Sequence, residues 1–178
     1  ALHHGMNVLL FSDNVSLEDE IALKHYAVDH GLLLMGPGAG TAILNGVALG
    51  FANVVPHGPV GIVSAAGTGL QEVSTLLARQ GVGISQGIGT GGRDLQEAVG
   101  GLMMLSGLQA LQADPTTRVI VLISKPPSPP IAEKILSQAR QSDKPTVVCI
   151  LGQALKGKNI TANLEEAAFL AAGLADPN

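Results

Sequence analysis

Glycines rather than charged side chains carry the most pointed chemistry in this 178-residue chain. Gly67-Thr68-Gly69 and Gly87-Ile88-Gly89-Thr90-Gly91-Gly92 each follow an apolar run and precede a helical pattern. Such a glycine turn gathers backbone N–H groups at a helix N-terminus, where hydrogen bonds and the helix dipole hold an anion. The second segment also matches G-x-G-x-x-G. Dinucleotide binding further requires an acidic residue at the end of the next strand, about 20 residues on. Asp114 has roughly that spacing but stands before the strand that starts at Arg118. The pattern therefore predicts two neighbouring turns that hold a phosphate-like group, at Gly67, Thr68 and Gly69 and at Gly87, Gly89, Thr90, Gly91 and Gly92. Lys125 or Arg93 would add positive charge.

Other motifs fit their chemistry less well. Gly83-Ile84-Ser85-Gln86-Gly87 spells the nucleophile elbow G-x-S-x-G, whose serine must sit on a strand-to-helix turn. Ser85 falls inside a strand, and no histidine follows His57. Gly152-Gln153-Ala154-Leu155-Lys156-Gly157-Lys158-Asn159 nearly spells a P-loop, but Asn159 stands where Ser or Thr should hold magnesium. The segment reads as a basic surface loop. His3, His4, His25, His30 and His57 show no paired-ligand spacing, so no metal site is expected. Glu72 reads as a carboxylate in the first turn of its helix, comfortable with the dipole. It reads equally as a polar group aimed into the crevice. Lys125-Pro126-Pro127-Ser128-Pro129-Pro130 follows a strand; proline stiffens it, which suits either an anion's partner or a rigid linker.

Residues 6–11, 32–35, 60–64, 83–88, 118–124 and 146–151 read as strands. Residues 17–30, 70–80, 94–112, 129–142 and 164–174 read as helices, the first capped by Ser16. Residues 36–40 are glycine-rich, and the chain from there to Pro59 reads as irregular. Strands alternating with helices predict βαβ units and a doubly wound parallel sheet. The strands are continuous apolar runs, as in sheets covered on both faces. Ligands of such sheets sit at the carboxyl ends of the strands.

Ten basic and fourteen acidic residues make 13% charged, with net charge −4 and a pI near 5.6. The four aromatic residues are three Phe and one Tyr. This composition excludes disorder and argues against nucleic-acid binding, which needs basic and stacking surfaces. From His30 to Gln71 no Asp, Glu, Lys or Arg occurs. Gly36, Pro37, Gly38, Gly46, Pro56 and Pro59 interrupt that run, which argues against a membrane span of about 20 apolar residues. Cys149 alone forms no internal disulfide, which favours a cytoplasmic protein.

Gly61-Ile62-Val63-Ser64-Ala65-Ala66-Gly67-Thr68-Gly69, with Glu72 after it and then Gly87-Ile88-Gly89, resembles the alpha subunit of succinyl-CoA ligase and the ADP-forming acyl-CoA synthetases. Ser124-Lys125-Pro126-Pro127 and Gly91-Gly92-Arg93-Asp94-Leu95 are similar to the FdrA branch of that superfamily. The resemblance implies the C-terminal part of a Rossmann-like CoA-binding domain and the join after it over 1–57, and a flavodoxin-like ligase domain over 58–178. It implies coenzyme A contacts near Gly36, Pro37 and Gly38, and phosphate contacts from Ser64, Gly67, Thr68 and the turn at 87–89. ATP and a small acyl or carbamoyl substrate are the implied further ligands, and a ligase-type partner subunit or domain the implied partner. Glu72 takes the place of the glutamate that orients the family's phosphohistidine. Thr161 and Ala162 stand where that histidine should follow Lys156-Gly157-Lys158, Ala66 replaces a second serine, and Lys125 replaces a glutamate. The resemblance thus leaves three readings: an acyl-CoA synthetase without a phosphohistidine, a carbamoyl- or acyl-phosphate transferase subunit in purine-nitrogen breakdown, and a non-catalytic CoA-binding module.

Overall fold

A computed structural model of the chain describes residues 1–153 and 157–175. Two units follow one another, the first a parallel pair of strands with one helix and the second a mostly parallel sheet. The first is β1 (Val8–Leu9), α1 (Leu17–Asp29) and β2 (Leu34–Met35), with β1 and β2 paired in parallel. Ser16 caps α1 as expected, accepting from the Asp19 N–H at 3.0 Å.

The second unit is a seven-stranded sheet built from β3 (Thr41–Leu44), β4 (Val47–Gly50), β5 (His57–Ser64), β6 (Ile84–Gly89), β7 (Val119–Ser124), β8 (Thr146–Ile150) and β9 (Ile160–Thr161). Its helices are α2 (Gly67–Arg79), α3 (Leu102–Ala113), α4 (Pro129–Arg140) and α5 (Leu164–Ala175). The strand order is β4-β3-β6-β5-β7-β8-β9, and β5 to β9 are all parallel. Counting from β5, that is the flavodoxin-like order 2-1-3-4-5. The strands bury both faces. Val119, Val121 and Ile123 of β7 meet α2 and α5, while Ile120 and Leu122 meet α3 and α4.

Three expectations need correction. Residues 41–50 are not irregular: they form the antiparallel hairpin β3–β4, and Ile43 and Leu44 pair with β6. Asn45 and Gly46 turn the hairpin with positive φ (50° and 79°), a conformation that asparagine and glycine tolerate. This stretch therefore pairs with the second sheet. The helix after β5 starts at Gly67 rather than at residue 70. The third helix starts at Leu102, not at 94, because Gly91, Gly100 and Gly101 all take positive φ and the chain between them folds into turns.

No helix among the described residues is long and apolar enough to cross a membrane. Cys149 lies fully buried in β8, where burial pushes its thiol up from its ordinary value, so it sits as an inert core residue.

Candidate functional site

The site is assembled at the carboxyl ends of the strands. Ser64 ends β5 and is paired with Gly89 at the end of β6 and with Ile123 of β7, so the loops after these strands start side by side. The Thr90 N–H donates to the Ser64 carbonyl at 2.8 Å, and the Ala65 N–H to the Ile123 carbonyl at 2.9 Å. The Ser64 hydroxyl is fully buried, accepts from the Ala66 N–H at 3.0 Å and donates to the Ala66 carbonyl at 2.7 Å. Ser64 therefore shapes the loop rather than facing a ligand.

Helix α2 is the receptive end. Its first three N–H groups, on Gly67, Thr68 and Gly69, have no acceptor among the described residues, and Ala66 at the N-cap offers no side-chain acceptor. Gly67 and Thr68 are exposed. Gly69 is buried, because a Cβ there would sit 2.9 Å from Ile123 of β7. The other helices are closed to anions. The first turns of α1 and α5 carry Glu18, Asp19, Glu20 and Glu165, Glu166. Helix α4 opens with Pro129 and Pro130, which have no N–H. At α3 the Asp94 carboxylate accepts from the Met103 N–H at 3.1 Å and the Met104 N–H at 2.8 Å.

Asp94 overturns the expectation of two equivalent glycine turns. The loop at Gly89–Gly92 does not feed a helix, and the protein's own carboxylate fills the helix end beyond it. Gly87 lies within β6, buried against Ile43 and Leu70, so it permits packing rather than a turn. Thr90 is buried. Gly91, at φ 86°, runs so close to the Pro37 carbonyl and Gly36, just after β2, that a side chain there would not fit. Gly92 is exposed with open space around it, and so is Gly38 apart from Asp13. Arg93 is not free to meet a ligand: its Nε sits 2.7 Å from Glu20, and its guanidinium donates to the Val15 carbonyl at 2.8 Å.

Sequence reading missed the network that holds Arg93. Lys24 of α1, fully buried, lies 2.9 Å from Glu20 and 2.8 Å from Asp94, both fully buried, and donates to the Thr90 carbonyl at 3.1 Å. Signs alternate from Arg93 through Glu20, Lys24 and Asp94 to the positive end of α3. Glu20 is held by charge proximity rather than by well-aligned hydrogen bonds. The spacing of Glu20 and Lys24, four apart on a predicted helix, was the available signal.

Glu72 is exposed and sits in the second turn of α2, one turn beyond Thr68, because the helix begins at Gly67. It does not lie in the first turn as expected. Lys125 is exposed directly after β7 and makes no ion pair among the described residues. The near P-loop spans Ala154, Leu155 and Lys156, which lie outside the described residues. A groove of about 480 Å³ runs beside Arg140, Lys144 and Lys158. It lies at the amino ends of β8 and β9, away from the α2 terminus.

Ser85 is fully buried 2.7 Å from the Thr117 hydroxyl, which donates to Asp114 at 2.8 Å. Its proton is thus engaged, and the elbow reading is excluded. Burial pushes the Asp114 carboxyl up, but donors on Thr116, Thr117 and Gln86 together hold it below the ordinary carboxylate value. A lowered folded-state value means stability that is present above the unfolded value near pH 4 and is lost as pH falls through the folded one. Asp114→Asn should therefore flatten the decline in urea midpoint below about pH 4.

No protein-family model matches the chain. It is 58% identical over 151 residues to the uncharacterized protein YahF of Escherichia coli, covering 85% of this chain and 29% of YahF. It is 28% identical over 155 residues to the alpha subunit of the ADP-forming succinate–CoA ligase of Methanothermobacter thermautotrophicus, covering 85% of this chain and 51% of that subunit. The fold matches the apo dinucleotide-forming acetyl-coenzyme A synthetase 1 of Ca. Korarchaeum cryptofilum with a TM-score of 0.70 at 17% identity, over 96% of this chain and 43% of that one. The chain thus spans about half or less of the proteins it matches. Its homologues are succinyl-CoA ligase alpha subunits and ADP-forming acyl-CoA synthetases, as its motifs predict.

Proposed function

We propose that the chain is the ligase-type part of an acyl-CoA synthetase of the FdrA branch, and that it holds the phosphate of an acyl or carbamoyl phosphate at the N-terminus of α2. One observation supports this above the rest. In a chain homologous to CoA ligases, α2 alone among the described α-helices starts with donors that no side chain caps and no acidic first turn repels. Backbone N–H groups of Gly67, Thr68 and Gly69 bind the anion. Lys125, on the loop of the neighbouring strand, supplies positive charge, and Glu72 supplies a carboxylate one turn above Thr68. Coenzyme A contacts fall to Gly36, Pro37 and Gly38, where the first unit meets the Gly91 loop, and ATP and a ligase-type partner complete the reaction in the cytoplasm. Thr161 and Ala162 stand where the resemblance places the family's phosphohistidine, so this segment offers no histidine there for the transfer.

Thr161 and Ala162 at the place of the family's histidine also favour a second reading, a module that binds CoA-type ligands without turnover. Exchange of phosphate or of the carbamoyl group, measured with acetyl and carbamoyl phosphate, separates the two. Exchange that is lost in Glu72→Ala or Lys125→Ala supports catalysis. Ligand-induced thermal stabilisation without any exchange supports the binding module.

A further inference from the structure

Few charges form pairs in this chain, and those that do are gathered in one place. All three ion pairs among the described residues belong to the row Arg93, Glu20, Lys24 and Asp94, and two of them cross from the first unit to the second. Glu20, Lys24 and Asp94 are fully buried. Asp94 is tied to α3: its carbonyl accepts from the Gly101 N–H at 2.8 Å, and its carboxylate from the Met103 and Met104 N–H groups. Lys24 stands one turn from Glu20 on α1, and Glu20, Asp94 and the Thr90 carbonyl hold its ammonium at 2.9, 2.8 and 3.1 Å. The Lys24–Asp94 pair therefore joins one helix to the end of another.

The apolar packing beside it is less specific. Met103 of α3 packs with Leu2, Ala27 and Leu34 of the first unit. Burial of apolar surface is non-directional, and methionine adapts to changed surroundings. Where the loops of the two units meet, Gly36 faces Gly91, and neither has a side chain to interlock. A slip of α1 by one turn, about 5.4 Å, would keep packing of this kind. The charges oppose it. A slip in one direction puts Glu20 opposite Asp94, two carboxylates together in the interior. A slip in the other puts Ala27 or Val28 there and leaves Asp94 without a cation. Both leave buried charge uncompensated, which is strongly unfavourable.

We propose that Glu20, Lys24, Asp94 and Arg93 are positioning residues that form a register lock. They admit one seating of α1 on α3, and so one geometry of the seam where Gly36 meets Gly91. Replacing a whole buried charge network by neutral groups of similar volume need not lower stability, because desolvation offsets the attraction. The effect of this network is specificity: it penalises other seatings more than it stabilises this one.

Distances between spin labels test it. The labels go on His25→Cys of α1 and Glu133→Cys of α4, both exposed positions; Cys149 is fully buried and takes no label. The otherwise unaltered chain should give one narrow distance distribution. The neutral variant Glu20→Gln/Lys24→Met/Asp94→Asn keeps an acceptor for α3. It should still melt cooperatively, yet show a second distance or a distribution broadened by about 5 Å, one helical turn. A merely structural role would lower the melting temperature and leave the distance as it was. A folded neutral variant with the single narrow distance therefore overturns the proposal. If the neutral variant does not fold, Arg93→Gln decides. The Arg93 side chain is 34% exposed, so this variant folds, and loss of its pair to Glu20 should broaden the distribution. An unchanged distribution in Arg93→Gln would then overturn the proposal.

Discussion

Replacing Lys24 with methionine should destabilise the chain by about 3–5 kcal/mol, the usual effect of removing one partner from a buried ion pair. Lys24 is fully buried between Glu20 and Asp94 and also reaches the Thr90 carbonyl. Without it, two carboxylates face one another in the interior with a single cation, Arg93, at one end. Asp94 would still cap α3, but it would bear uncompensated charge. A loss of that size is a large part of the stability of a typical domain. The cause is uncompensated charge rather than lost volume. Adding Glu20→Gln to Lys24→Met should therefore restore at least half of the loss, because Arg93 is partly exposed and can turn to water. Urea unfolding of the single and double variants reads both effects. A loss below about 1 kcal/mol for Lys24→Met, the scale of a surface pair, would show that the network is not closed to solvent.

The second large effect is expected on ligand binding, from Gly67→Pro. Residue 67 opens α2, the position where proline is favoured and where its missing N–H breaks no helical bond. Proline requires an extended residue before it, and Ala66 is already extended at φ −132° and ψ 100°. A Cβ at 67 meets only the Thr41 hydroxyl, at 3.7 Å, an ordinary contact. Folding stability should be unchanged or rise by up to about 1 kcal/mol. Phosphate, however, loses a charge-assisted hydrogen bond, which corresponds to about ten- to hundredfold weaker binding. Gly67→Ala keeps the N–H and should bind almost as the parent does. This pair of variants separates the backbone donor from the shape of the loop, which alanine scanning alone does not do.

The α/β alternation was legible because continuous apolar runs such as Val119–Ser124 have no other stable home than a sheet covered on both faces. The hairpin at 41–50 was only partly legible. Its Asn45-Gly46 turn was an available local signal that the reading passed over; its runs are short and hold no aromatic residue, and its pairing to β6, some forty residues on, has no local mark. The glycine turn at Gly67 leads into a helix, as read, and α2 begins there with no side-chain cap hydrogen bond. The turn at Gly89–Gly92 looked the same in sequence and differs because of Asp94. That carboxylate lies next to Arg93 in the chain, but its partners are Lys24 and the end of α3, and neither tertiary contact has a local signature. Arg93 was misread for the same reason. Sequence showed a charge beside a phosphate-like turn, while the fold ties that charge to Glu20 across the join of the two units.

The most direct test of the central claim is a phosphate titration of the chain followed through its backbone amide resonances. The account predicts saturating shifts at Gly67, Thr68 and Gly69, with the amides of Met103 and Met104 unmoved because Asp94 already occupies that helix end. Shifts at Met103 and Met104 with none at Gly67–Gly69, or no saturable shift at all, would contradict it.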